Sequence, residues 1–209
     1  MNNYSNYWDK KLPENLVRET YEEWLHNYQF DMYDSNHPIL DLGCGNGYDT
    51  IWLKKRGYEV ASVDFSKSAV ERVKQFNDNA MLFDIGKFED WQKFNNETFS
   101  YVIADLSLHY FDTKTTMMIM NEIKRVLISN GILIARVNTM QDKAFGAGDG
   151  VEIEPNFYKN LQRGIDKRFF TEESANEFFS VIGDVKIESK TITYVNRQKQ
   201  CYEIVVQKN

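Results

Sequence analysis

Residues 39–64 read ILDLGCGNGYDTIWLKKRGYEVASVD, and this stretch decides the fold. Pro38 to Leu42 is a short apolar run of a length that suits a buried strand. Gly43, Gly45 and Gly47 follow at alternate positions, and a helical stretch with Ile51, Trp52 and Leu53 comes next. Lys54, Lys55 and Arg56 give it a basic end, and Gly57 stops it, because glycine accepts the left-handed conformation that helix ends require. A second apolar strand, Tyr58 to Val63, ends on Asp64. The unit is therefore strand, glycine turn, helix start, strand and carboxylate. Glycines let a ligand approach the backbone, and a helix N-terminus offers free N–H groups. An acid about 20 residues on is where such folds hold a ribose hydroxyl pair. The stretch predicts a site for a nucleoside-containing cofactor.

The glycine spacing narrows the cofactor. A dinucleotide fingerprint is G-x-G-x-x-G. Gly43 and Gly45 fit its first two positions, but Tyr48 occupies the third. The pattern Asp41-x-Gly-x-Gly-x-Gly instead resembles motif I of the class I S-adenosylmethionine (SAM)-dependent methyltransferases, whose ligand has no pyrophosphate. The resemblance extends over most of the chain and is specific in residues 39–64. Within the family the chain looks most like the tellurite-resistance-type and related small-molecule methyltransferases. It shares with them a short N-terminal cap, the DLGCGNG string and a helix-plus-hairpin ending.

The resemblance implies a set of roles. Asp41 and the backbone of Gly43 would hold the methionine ammonium end, with Ala104 adding a backbone carbonyl. Gly45 and Gly47 belong to the cofactor loop, and Gly45 would give the ligand room. Asp64 would take the ribose hydroxyls, Phe65 would pack on adenine, and Asp84 and Ile85 would meet the adenine amino group and ring. Family branches that methylate nucleic acid or protein nitrogen often carry Asn/Asp-Pro-Pro-aromatic after the fourth strand. Here that place reads Ala104-Asp105-Leu106-Ser107, which favours a small-molecule acceptor. His109 is the candidate general base, since imidazole titrates near neutrality. Asp105, Tyr110, Phe145 and Arg168 are candidates to line the acceptor.

Around this unit the alternation continues. Ala80–Phe83, Phe99–Ala104 and Ile132–Val137 read as further strands. Helices are expected near 66–76, with Ser68 and Glu71 at capping-box spacing, and over 113–127 and 172–179, with Asp112 and Thr171 as N-caps. Ile119, Met120, Ile123, Val126 and Leu127 form one apolar helix face. Phe88, Trp91 and Phe94 are expected in the core. Val185–Tyr194 and Tyr202–Gln207 close the chain as a hairpin around a polar turn at 196–200. The expected fold is α/β: a Rossmann-like doubly wound sheet of seven strands, mostly parallel, with a C-terminal antiparallel hairpin and helices on both faces. Residues 1–209 are expected to form a single domain. Residues 1–37 would be an N-terminal helical cap, with a helix from about Glu14 to Tyr28. Tyr7 and Trp8 in it are candidates to close over the cofactor or to anchor that helix. Residues 139–168, a long connection with Gly146, Gly148 and Gly150, would be the substrate loop.

Composition bounds the partners. The 209 residues are 42% hydrophobic and 14% aromatic, which suits one globular domain. Formal net charge is −6, which disfavours nucleic acid. No apolar run approaches the ~20 residues of a membrane span, and the first residues lack a signal-peptide pattern. Cys44 and Cys201 are expected as free thiols in a cytoplasmic protein, and two cysteines with three histidines give no expected metal site. The protein is expected to be a monomer or homodimer that converts SAM to S-adenosylhomocysteine (SAH) on a small molecule. Two alternatives stay open: a non-catalytic SAM-binding module, and a nicotinamide-dependent oxidoreductase.

Overall fold

The computed structural model describes residues 24–160, 164–194 and 196–209. The expected contributions of Tyr7, Trp8 and most of the first helix lie outside these residues. From the rest, a 3-10 turn at Trp24–Asn27 leads into the first βα unit. That unit is β1 (Ile39–Leu42), α1 (Tyr48–Lys55) and β2 (Val60–Asp64). It is followed by α2 (Lys67–Val73), β3 (Ala80–Leu82), α3 (Phe88–Trp91), β4 (Phe99–Asp105), α4 (Thr113–Val126) and β5 (Leu127–Asn138). After a 3-10 turn at Lys143–Phe145 come β6 (Val151–Glu154), β7 (Phe157–Asn160), β8 (Ile165–Arg168), α5 (Glu172–Phe179), β9 (Gly183–Tyr194) and β10 (Arg197–Lys208).

The main sheet has seven strands in the order β3-β2-β1-β4-β5-β10-β9. The first five are parallel, and β10 runs antiparallel to both β5 and β9. The strand order reverses between β1 and β4, and open α/β sheets bind ligands in the crevice beyond that point. The expected doubly wound sheet with its terminal hairpin is the one observed.

Side-chain period explains the layers. Along β5, Leu133, Ala135 and Val137 face a core with Ile119, Met120, Ile123 and Val126 of α4 and Phe178 and Phe179 of α5. Each of those four α4 side chains is fully buried, which stabilises by roughly 1.5–3 kcal/mol apiece. The alternate residue Ile134 faces Trp24, Leu25, Phe30, Trp52 and Tyr101 on the other side. Arg136 and Asn138, two and four positions on, share this second face.

Caps confirm part of the sequence reading and correct part. Asp112 Oδ1 accepts from Thr115 N at 2.7 Å, and Thr171 forms a reciprocal capping box with Ser174. The cap of α2 is Ser66, whose hydroxyl accepts from Ala69 N, and not Ser68. Trp91 and Phe94 are buried, but Phe88 is 51% exposed because it lies on the outer side of a single-turn helix. The polar turn is shorter than expected, since β10 already pairs from Arg197. Residues 139–168 hold a second, antiparallel sheet, β6-β7-β8, so the long connection is structured. Among the described residues its strands pair only with one another, and a short run of alternating charge such as Ile165-Asp-Lys-Arg gives little strand signal in the sequence. Cys44 and Cys201 are free and buried.

Candidate active site

The glycine loop leaves the end of β1 and is pinned to β2. Gly43 N and Cys44 N both donate to Val63 O, at 2.8 and 2.9 Å. Gly45 N donates to Asp64 Oδ2 at 2.9 Å, and Ser66 N donates to Asp64 Oδ1 at 2.8 Å. The carboxylate at the tip of β2 thus holds the loop and the start of α2 together.

The three glycines serve different ends. A Cβ on Gly43 would lie 2.5 Å from Ser107 Cβ, and one on Gly47 would lie 2.7 Å from Phe76 Cζ. Both positions are filled by packing. Gly47 caps α1 with its open side against Phe76 and Val73, so its missing side chain serves packing and not ligand approach. A Cβ on Gly45 would meet nothing nearer than Gly43 O at 3.9 Å. Gly45 is the position in the loop whose face is open.

The expected adenine and ribose positions border this face. Ile85 is buried, and its Cδ1 lies 3.6 Å from the Cβ position of Gly43. Asp84 is half-exposed, accepts from Gly86 N at 3.0 Å and pairs with Lys87 at 3.3 Å. Phe65 is half-buried beside Asp64, and Ala104 is fully buried near the end of β4. The chain after β4 turns back through Leu106 at positive φ, and Ser107 Oγ donates to Leu42 O at 2.6 Å.

Beneath the loop lies an acidic group of which the sequence reading named Asp41 and Asp105 but neither Asp49 nor Arg136. Thr50 Oγ1 donates to Asp41 Oδ2 at 2.5 Å and lies 2.7 Å from Ser62 Oγ. Burial pushes the Asp41 carboxyl up to about 7, helped by the charges of Asp105 and Asp64, while the Thr50 hydrogen bond pulls it down. Asp49, at the start of α1, accepts from Trp24 Nε1 at 3.0 Å. Burial, then Asp105 and Asp41, hold it well above the usual carboxylate range, and Arg136 opposes them. Arg136 is fully buried, lies under the Trp24 ring at 4.5 Å, and binds Asp105 through Nε at 2.6 Å and Nη2 at 2.8 Å. Asp105, expected to line the acceptor, has its carboxylate engaged in this bidentate ion pair. An arginine inside the apolar strand ILIARVN was the sequence signal for this group.

At the far end of β4 and β5 stand the acceptor candidates. His109 is buried, and its ring tilts against Tyr110 at 4.2 Å. Burial first, then the charges of Lys167 and Lys199, hold its imidazole well below the usual range, so it is neutral at neutral pH. Phe145 is half-buried, with Lys199 Nζ 4.5 Å and Arg197 Cζ 5.0 Å from its ring. Lys199 is buried and bonds Asp142 at 2.7 Å. Arg168 departs from the expectation. It is buried between the rings of Phe157 and Phe178, and it donates to Glu154, Thr113 Oγ1 and Pro155 O at 3.0–3.1 Å. It clamps β6 and β8 to the start of α4, and its buried Nε has no hydrogen-bond partner among the described residues. Among the described residues no group of three or more His, Cys, Asp or Glu could hold a metal ion, and no helix is long and apolar enough to cross a membrane.

Comparison with known proteins agrees with this geometry. Residues 40–135, from β1 through most of β5, match a family described as methyltransferase domain. The chain is 28% identical over 103 residues to the uncharacterized methyltransferase C70.08c of Schizosaccharomyces pombe, covering 48% of this chain and 40% of that protein. It is 31% identical over 101 residues to the uncharacterized methyltransferase YodH of Bacillus subtilis, covering 47% and 42%. The chain thus spans less than half the length of these curated relatives. Among solved structures, a SAM-dependent methyltransferase from Methanosarcina mazei superposes with a TM-score of 0.71 at 17% identity, over 91% of this chain and 99% of that one. Another from Anabaena variabilis gives 0.71 at 18%, over 99% and 93%. The fold is the Rossmann-like one of these methyltransferases.

Proposed function

We propose that this chain is a SAM-dependent methyltransferase that acts on a small-molecule acceptor, in the cytoplasm, as a monomer or homodimer, and not on nucleic acid or membrane. The observation that carries the reading is the loop at the switch point of the sheet. There Gly45 alone of its three glycines faces open space, and the Asp64 carboxylate stands beside it. The methyltransferase-domain match over residues 40–135 supports it, and so does the absence of a third dinucleotide glycine at Tyr48.

The residues fit the group. Asp105 and Asp49 share one buried cation, Arg136, and Asp41 adds a third carboxyl beside them, so this end of the site favours a further positive charge such as a methionine ammonium. Asp64 would accept from the ribose hydroxyls, Asp84 from the adenine amino group, and Ile85 and Phe65 would flank the ring. When bound, SAM supplies a methyl group already activated on a sulfonium. Positioning and exclusion of water then remain for the protein. His109, neutral and buried, is in the form that takes a proton from a hydroxyl or amine acceptor. The β6-β7-β8 sheet, joined to His109 O through Arg168 N, would cover that acceptor.

The test is release of SAH from SAM across a panel of phenols, amines, thiols and oxyanions. Turnover with any of them supports an enzyme. SAM binding with no turnover on any acceptor class would reduce the protein to a binding module.

A further inference from the structure

On the acceptor side Asn138 and His109 carry hydrogen-bonding atoms without partners among the described residues, as does the Nε of Arg168 beside them. Asn138, the last residue of β5, is fully buried, and neither its amide nitrogen nor its carbonyl oxygen has a partner among the described residues. The same holds for Nδ1 of the buried His109. Buried polar groups are nearly always paired, and an unpaired one destabilises the fold.

One segment joins the two residues. Phe170 N donates to Asn138 O and Arg168 N to His109 O, both at 2.8 Å, so a single segment, residues 168–170, ties them together. Asn138 pairs with Cys201 across the sheet, and Lys199, two positions along β10 on the same face, is near enough for its charge to act on His109.

Their surroundings select the ligand chemistry. Lys199 Nζ is bonded to Asp142, and Asp142 also accepts from Gln200 N at 3.2 Å, so this pair neutralises itself, while Lys167 lies 5.9 Å over the Tyr110 ring. The two orphaned groups, a carboxamide and a neutral imidazole, carry no charge and so match a neutral partner. A carboxamide presents one donor and one acceptor side by side in a plane, and its complement is a planar edge with an acceptor beside a donor. Tyr110 against His109, and Phe145 beside Lys199, add flat aromatic surface.

We propose that Asn138 and His109 form the acceptor subsite, and that it takes a neutral, planar molecule with adjacent donor and acceptor atoms: a carboxamide, a lactam or a heteroaromatic ring. This rests on the methyltransferase reading and adds the substrate class to it.

The experiment uses the full chain with SAM and follows SAH release. Nicotinamide, 2-pyridone and uracil are set against 2-mercaptoethanol, selenite and putrescine, for wild type and Asn138→Leu. Turnover is expected with the planar set, with a KM at least about tenfold higher in the variant, as loss of a paired hydrogen-bonding edge implies. SAH affinity should be unchanged in the variant. The ligand-free variant should also melt higher, by about 2–4 °C, because an orphaned amide has been replaced by an apolar group of similar size. Turnover confined to the thiol, oxyanion or aliphatic amine would overturn the proposal. So would a lower melting temperature for Asn138→Leu, which would mean that the amide is satisfied within the protein. A wild type that binds no SAH would instead remove the methyltransferase reading, and the melting comparison would still decide whether Asn138 is an orphan.

Discussion

Replacing each loop glycine by alanine separates packing from ligand approach. In Gly45→Ala the new methyl has no atom nearer than 3.9 Å, so the cost is the left-handed backbone at φ +49°. That strain is about 1–2 kcal/mol, or a melting temperature lower by roughly 2–8 °C for a chain of this size. Gly47→Ala adds contacts of 2.7 Å to Phe76 and 2.8 Å to Val73 at φ +79°. Strain and overpacking together give about 2–5 kcal/mol. Gly43→Ala, with Ser107 Cβ at 2.5 Å, falls in the same range. Ligand binding should rank differently. Gly45→Ala should lose at least about tenfold in SAH affinity, or 1.4 kcal/mol, while Gly47→Ala should change affinity less. Urea unfolding gives the stabilities, and calorimetry at a temperature where all variants are folded gives the affinities. Wild-type SAH affinity in Gly45→Ala would refute the assignment of that open face to the cofactor.

Three further outcomes follow from the buried charges. Arg136→Met leaves Asp105 and Asp49 without their cation and should lose about 3–5 kcal/mol in urea unfolding; a loss under about 1 kcal/mol would contradict the ion-pair account. Asp41 holds its proton up to about pH 7 in the folded state, against an ordinary 3.8 in the unfolded one. The folded state therefore binds more protons between those values, and ligand-free stability should fall as pH rises from about 4 to 7, by on the order of 4 kcal/mol from this group. Urea unfolding of wild type and Asp41→Asn at pH 5 and 8 checks this, and an equally steep fall in the variant would remove Asp41 as its source. His109→Gln should slow a hydroxyl or amine acceptor by at least roughly tenfold, the low end for a general base; an unchanged rate would take His109 out of the mechanism.

The sequence carried the sheet but not its charges. Alternation of apolar runs with capped helical periods placed β1 to β5, and local chemistry placed Asp112 and Thr171 as caps. Such signals act within a few residues, so one chain suffices to read them. The pairing of Asp105 with Arg136 spans 31 residues, and that of Trp24 with Asp49 spans 25. No local pattern reports either, and Asp105 consequently looked like a free strand-end acid. The pairing of Arg168 was hidden for the same reason, because its partner Glu154 sits in a strand that sequence pattern did not show. Asn130-Gly131 reads as a turn, yet it lies within β5, where the pairing with β4 shifts between Phe99 and Tyr101. A bulge and a turn use the same residues, and the neighbouring strand decides between them.

Whether the glycine loop holds SAM is decided by calorimetric titration of SAM, SAH and NAD against wild type and Asp64→Asn. The variant's carboxamide would keep a carbonyl oxygen for one of the two N–H groups that Asp64 now receives, so the loop can stay in place. Micromolar binding of SAM and SAH to wild type is expected, weakened at least about tenfold in the variant, with no heat from NAD. Binding of NAD alone would overturn the cofactor assignment and make the loop a nicotinamide site.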